Sequence, residues 1–254
     1  ELTGSANVSA VTIFHTNDLH NRLDERLASK LASVRNEEEN ALLLDGGDAV
    51  WAGNAYFRPG GEPVLERMSR AGYDAMVVGN REFHFTETGF LSKLSNASYT
   101  VLCANVRAVR DAGLPCQPSV FFDRGGVRVG IVGVTVPMVT PRSRVASFSA
   151  YLFDDPVEVC SRVARQMRDA CDLLIALTHI GLRQDMRLAG ECPELDIIIG
   201  GHSHDALEKP ITVNGVPVVQ AGHHGRFFGI SCLEKEGSRW RLDYRLEPLR
   251  EISP

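Results

Sequence analysis

A chain of 254 residues is long enough for one large domain or two small ones. Its hydrophobic share of 44% and charged share of 23% are ordinary for a globular protein. A formal charge of −5 with no basic run offers nothing to a nucleic-acid backbone or an anionic membrane, and no apolar run approaches the ~20 residues of a membrane-crossing helix.

Residues 1–9 are small and polar and read as a loose tail, without an initiator Met or a signal-type apolar core; a single domain is expected over 10–254. A strand over 11–14 leads into Asp18 and His20, and His15 behind it reads as structural. A helix over 26–38 follows, with Leu23, Leu27, Leu31 and Val34 as its apolar stripe. The wholly apolar run 41–44 ends in Asp45-Gly46-Gly47-Asp48 and fits a strand buried on both faces. In the loop over 51–61, Trp51 and Asn54 stand close enough to Asp48 to border a site, although Trp51 suits core packing equally. Pro63 opens a short helix through Leu65 and Met68. A strand over 75–78 stops at Gly79-Asn80, a helix is predicted over 86–94, and a strand over 100–104 ends at Asn105.

Segments 120–123 and 127–134 read as a hairpin around Gly125-Gly126, and 137–149 as a polar loop carrying Arg142 and Arg144. Asp155 caps a helix with Pro156 in its first turn and Val157, Cys160, Val163, Ala164 and Met167 along its buried face. A strand over 173–177 hands over His179, and Ile197-Ile198-Ile199 exits through two glycines into His202 and His204. In extended backbone these two histidines share a side, so both rings are expected to reach one point. The last segment, 227–249, alternates as a hairpin turning near Gly237. With no repeat and no linker, the expectation is α/β, a single domain of two facing mixed β-sheets flanked by helices.

The polar residues gather at strand exits, where ligands bind in such folds. Asp18, His20, Asp48, Asn80, His179, His202 and His204 form a set of oxygen and nitrogen donors without cysteine, suited to two borderline divalent ions such as Mn, Zn or Fe. Each motif alone is commonplace; their joint occurrence after apolar strands is not. The six cysteines are scattered without a Cys-x-x-Cys pair, so reduced thiols and a cytoplasmic location are favoured over a periplasmic or secreted one after signal removal.

Asp18-x-His20, Gly47-Asp48, Gly79-Asn80-x-Glu82, His179 and Gly201-His202-x-His204 together resemble the calcineurin-like metallophosphoesterase superfamily, a four-layer sandwich. Thr16-Asn17-Asp18-Leu19-His20 and Gln220-Ala221-Gly222 narrow the resemblance to the amino-terminal domain of the 5′-nucleotidase branch. The resemblance implies that Asp18, His20 and His204 bind a first metal, that Asn80, His179 and His202 bind a second, and that Asp48 bridges them. It also implies a metal-bridging hydroxide as nucleophile against a small phosphorylated substrate.

One departure stands out. The family's usual Gly-Asn-His-Glu reads Gly79-Asn80-Arg81-Glu82 here. Arginine stays protonated and is a poor acid but a good phosphate clamp, so Arg81 is expected to hold the phosphoryl group and His84 to supply a proton. Asp45, Glu82 and Asn105 are candidates to orient ligands, and Asn105, Arg142, His223 and His224 to touch substrate. No carboxy-terminal nucleotide-binding domain is expected after the terminal hairpin, so nucleotide specificity does not follow from the resemblance. The alternatives are a phosphodiesterase and a catalytically silent relative that binds metal or phosphate; oligomeric state is left open.

Overall fold

The computed structural model describes residues 9–109 and 111–250; the predicted tail lies outside the described residues except for Ser9. The first half of the chain runs β1 (Ala10–Thr16), α1 (Glu25–Glu37), β2 (Ala41–Asp45), α2 (Pro63–Ala71), β3 (Ala75–Val77), α3 (Glu87–Leu94), β4 (Thr100–Leu102), β5 (Val106–Ala108) and β6 (Ser119–Arg124). The second half runs β7 (Val127–Thr135), β8 (Tyr151–Phe153), α4 (Pro156–Met167), β9 (Leu173–His179), α5 (Leu182–Glu191), β10 (Ile197–Ile199), β11 (Ile211–Val213), β12 (Val216–Val219), β13 (Phe227–Glu236) and β14 (Arg239–Pro248).

Two six-stranded sheets form, in the orders β14-β13-β1-β2-β3-β4 and β11-β12-β10-β9-β7-β6. Within each, the inner strands run parallel and the edges add antiparallel partners, β13 on β1 and the hairpin arms β6 and β11. Alternation along the strands explains the layering. Val11, Ile13, Leu42, Leu44 and Val77 from the first sheet meet Val129, Ile131, Ile175, Leu177 and Ile199 from the second in one inter-sheet core. The intervening residues point outward: Phe14, Leu43 and Met76 pack under α1–α3, and Val132, Leu174 and Ala176 under α4 and α5. A strand buried on both faces needs apolar residues at every position, which is why 41–44 and 173–177 read as unbroken runs.

Helix starts follow their caps. Asp24 accepts from Leu27 N, Thr86 from Gly89 N, and Asp155 from Val157 N and Glu158 N. Helix α5 begins at Gly181 without a side-chain cap and buries only Asp185, Leu188 and Ala189, so the sequence carries no start signal for it and the predicted elements omit it. They also omit the β11–β12 hairpin and the two-stranded β5–β8 sheet, built from three- and four-residue strands. All six cysteines are free, and no helix among the described residues is long and apolar enough to cross a membrane.

His15 points into the inter-sheet core with both ring nitrogens buried and unpartnered, its ring stacked 6.0 Å from Tyr244. A Cβ at the facing Gly229 would sit 2.0 Å from its Nε2, so glycine there makes the room. Burial pushes this imidazole down to about 3. The unfolded chain takes up a proton near pH 6.5 that the folded one refuses, so stability is lost as pH falls from 6.5 toward 3. Between pH 7 and 5 that loss is about 2 kcal/mol. His15→Leu is expected to lose about 2 kcal/mol less than the parent chain over the same interval, measured by urea unfolding; equal losses in both would contradict this.

Candidate metal centre

The parallel strands of both sheets end at one rim, and their exit loops lock to one another. Asp18 N donates to Gly47 O (2.8 Å), His20 N to Asp48 O (3.0 Å) and Asn21 N to Ala49 O (2.7 Å), zipping the β1 exit to the β2 exit. Across the sheets, His179 Nδ1 lies 2.7 Å from Gly46 O. Close approach demands glycine here: a Cβ at Gly79 would meet Asp48 N and Oδ1 at 2.3 Å, and one at Gly201 would meet Gly46 O at 2.5 Å.

Five of the seven predicted ligands take left-handed backbone: Asp18 (φ 51°), His20 (46°), Asp48 (56°), His202 (78°) and His204 (64°). Each such residue costs roughly 1–3 kcal/mol and persists only where its surroundings hold it. This geometry corrects the expectation for the last two. His202 and His204 lie past the end of β10 rather than in extended backbone, and their rings diverge to two neighbouring clusters.

In the first cluster, ligand atoms of Asp18, His20 and His204 lie within 4.8 Å of one another. His20 Nε2 and His204 Nε2 face each other at 3.1 Å, and Asp18 Oδ1 is 3.8 Å and 3.3 Å from them. In the second, Asp18, Asp48 and His179 meet the same test. His179 Nε2 is 3.4 Å from Asp48 Oδ1, 3.3 Å from Asn80 Oδ1 and 3.3 Å from His202 Nδ1. Asp18 therefore belongs to both clusters.

This donor set fits a pair of cations on its own chemistry. Asp18 Oδ2 is held by Asn17 Nδ2 (2.8 Å) and His202 N (2.9 Å), while Oδ1, aimed at the imidazoles, is buried without a hydrogen-bond partner. A buried carboxylate oxygen left bare costs free energy that a cation recovers. Burial opposes protonation of His179, yet Asp48 and Asp18 outweigh it and hold the imidazole up at about 10. His20 and His202 go the other way, held below the ordinary histidine value chiefly by burial. Asp18 and Asp48 each act on all four imidazoles. So the pocket concentrates negative charge at the points where ring nitrogens converge, and oxygen and nitrogen donors without thiolate suit borderline divalent ions.

Behind the ligands sit groups that fix the loops. Glu82 Oε2 accepts from Asp48 N (2.9 Å) and Gly79 N (2.8 Å), and Oε1 from Val50 N (2.9 Å); burial and Asp48 raise its pKa. Asp45 accepts from Thr16 Oγ1 and Gly47 N. Two supports escape the sequence reading. Lys93, fully buried, donates to the carbonyls of Ala52, Gly53, Arg81 and Phe83 at 2.6–3.4 Å, tying the Asp48 loop to the Asn80 loop. Asp185, pushed up to about 7 by burial, accepts from Thr178 Oγ1 and Gln220 Nε2, and Ser203 Oγ donates to Gln220 Oε1. That chain braces the loop carrying His202 and His204. The signal for Lys93 is its place on the buried stripe of α3 beside Phe90 and Leu94.

The remaining candidates divide. Arg81 N donates to Asp48 Oδ1 (2.7 Å), and its Nε, buried and without a hydrogen-bond partner, lies 4.0 Å from Asp48 Oδ2. His223 stacks on His204 at 4.8 Å, and His224 packs edge-on to His20 at 5.3 Å, so both border the first cluster. His84 is a different case. Its Nδ1 accepts from Thr86 N (3.1 Å), its ring is sandwiched against Phe57 and Phe85, and burial followed by Lys93 lowers its pKa. It braces the start of α3, and this placement argues against the expected proton-donor role. Asn105 spends its amide on Thr135 and Asp154 backbone, with no contact to the proposed ligands among the described residues. Arg142 is exposed on its loop.

The sequence profile of the calcineurin-like phosphoesterases matches residues 11–206. The trifunctional nucleotide phosphoesterase YfkN of Bacillus subtilis is 31% identical over 86% of this chain and 18% of its own length, and the 5′-nucleotidase of Vibrio vulnificus is 26% identical over 94% and 51%. The solved 5′-nucleotidase precursor of Thermus thermophilus superposes with a TM-score of 0.78 at 26% identity, covering 94% of this chain and 54% of that one. The chain spans about half the length of these curated relatives or less. With the strand order, the rim of donors and the profile match in agreement, the chain belongs to the calcineurin-like phosphoesterase family.

Proposed function

We propose that the chain is a dinuclear metal-dependent hydrolase of phosphate esters or phosphoanhydrides. The observation that carries this reading is the pair of adjoining donor clusters, with an unpartnered Asp18 Oδ1 facing two imidazoles. Relatives named as 5′-nucleotidases and as a nucleotide phosphoesterase support a small phosphorylated substrate. Asp18, His20 and His204 would hold one cation and Asn80, His179 and His202 the other, with the carboxylate of Asp48 beside His179 and that of Asp18 common to both clusters; Mn, Zn or Fe suits this set. Such a pair, when bound, supplies charge neutralisation at phosphorus and a water acidified toward neutrality.

The chain's own residues do the rest. Arg81, anchored through its backbone to Asp48, offers a part-exposed guanidinium beside the second cluster. That suits a clamp on the phosphoryl oxygens, most valuable as charge builds there. His223 and His224 close the side of the first cluster, and burial with the neighbouring His223 pushes His224 down to about 4, keeping it neutral at physiological pH. With Arg81 where the family usually has histidine and His84 tied into α3, neither of these two side chains is placed to serve as the general acid. Loss of general acid catalysis costs ~10²–10⁴-fold and falls hardest on poor leaving groups.

Two outcomes test this. With Mn²⁺ supplied, an aryl phosphate or a phosphoanhydride is expected to turn over faster than a sugar monophosphate; the reverse order would refute the leaving-group argument. Arg81→Ala is expected to lower kcat/KM on the aryl ester by about 10²–10³-fold, and Asn80→Ala to lower it at least as far. Activity in either variant within threefold of the parent would remove that residue from the mechanism.

A further inference from the structure

We propose that Trp51 is a stacking platform beside the metal centre, which matches the site to phosphate esters whose departing group is a planar aromatic ring. This deepens the hydrolase reading above and rests on it. The indole is 55% exposed, although Ala49 and Val50 just before it are fully buried. Tyr56 and Phe148 are also exposed, at 57% and 78%, but among the described residues neither has a ring contact with the site histidines. Trp51 meets His20 edge-on at 5.3 Å and His224 at 6.2 Å, and the Arg81 guanidinium carbon lies 5.5 Å from its ring centre. A recess of about 300 Å³ opens there, lined by His20, Asn21, Arg22, Trp51 and His224.

Exposure alone would mean little, since isolated surface apolar residues are common. What sets Trp51 apart is the fixing of its backbone. Asp48 N and Val50 N donate to Glu82, Ala49 O accepts from Asn21 N, and Trp51 O faces Arg81 Nη1 at 3.5 Å. Ala52 O and Gly53 O accept from the buried Lys93 ammonium. Burying a charge to hold a loop is costly, and here it presents a large ring to solvent between a phosphate clamp and the first donor cluster. A rigid aromatic surface loses little entropy on binding, and stacking tolerates any ring with a π face.

The chemistry agrees with an arginine in the clamp position. In hydrolysis of an aryl ester the P–O bond breaks with its electron pair going to the aryl oxygen, while the oxygen of water joins phosphorus. A proton of that water ends on one of the two products. Aryl oxides accept the pair without prior protonation, so a platform that selects them suits a site whose clamp is arginine.

The test uses phenylphosphonate and methylphosphonate, which share the phosphoryl group and are not hydrolysed, titrated calorimetrically into the Mn²⁺-loaded protein. The parent is expected to bind phenylphosphonate at least tenfold more tightly than methylphosphonate. Trp51→Ala is expected to reduce that ratio about tenfold and Trp51→Phe to keep most of it. A ratio within twofold of the parent value in Trp51→Ala, in a variant whose melting temperature shows it folded, overturns the platform. Equal binding of both phosphonates by the parent overturns it too while leaving the hydrolase reading intact. Binding of neither defeats both readings.

Discussion

Asp18 Oδ1 is the atom around which the rim is arranged. Its partner oxygen is satisfied by Asn17 and His202 N, and it is itself aimed, buried and bare, at His20 and His204. A second carboxylate, Asp48, stands beside His179 at 3.4 Å. Two buried carboxylates facing four imidazoles form an assembly that protons satisfy poorly and divalent cations satisfy well. The high proton affinity of His179 and the low affinity of His20 and His202 express the same mismatch from two sides.

The fold's task is to hold this arrangement against its own strain. Five ligand candidates in left-handed backbone sum to several kcal/mol of local cost. The two β-sheets supply stiff origins for the loops, and buried polar groups pin the loops themselves. Glu82 gathers three backbone N–H groups, Lys93 four carbonyls, and the Asp185–Gln220–Ser203 chain the turn after β10. Because each pin spans two loops, loss of one would loosen ligands it never touches.

Much of this was legible in the sequence, for identifiable reasons. Strands buried on both faces announce themselves as unbroken apolar runs, and the donors follow directly at their exits, so the sheet cores and the donor set could be read together. Helix α5 could not, because it starts at Gly181 without a cap and buries few apolar residues. The divergence of His202 and His204 was hidden because spacing fixes direction only inside regular strand, and both residues lie past its end in left-handed conformation. His84 looked available for chemistry because its fate depends on Thr86, Phe57 and Gly89, contacts that sequence spacing does not specify. Lys93 is hidden for a related reason: a lysine in a helix reads as solvated until the four carbonyls around it are known.

The most direct test of the central claim is a crystal structure of the Mn²⁺-loaded protein with anomalous scattering recorded at the manganese edge. Two peaks ~3.5–4 Å apart are expected, one among Asp18, His20 and His204, the other among Asp48, Asn80, His179 and His202. A single peak outside both clusters, or none at all from protein loaded in excess manganese, would contradict the account.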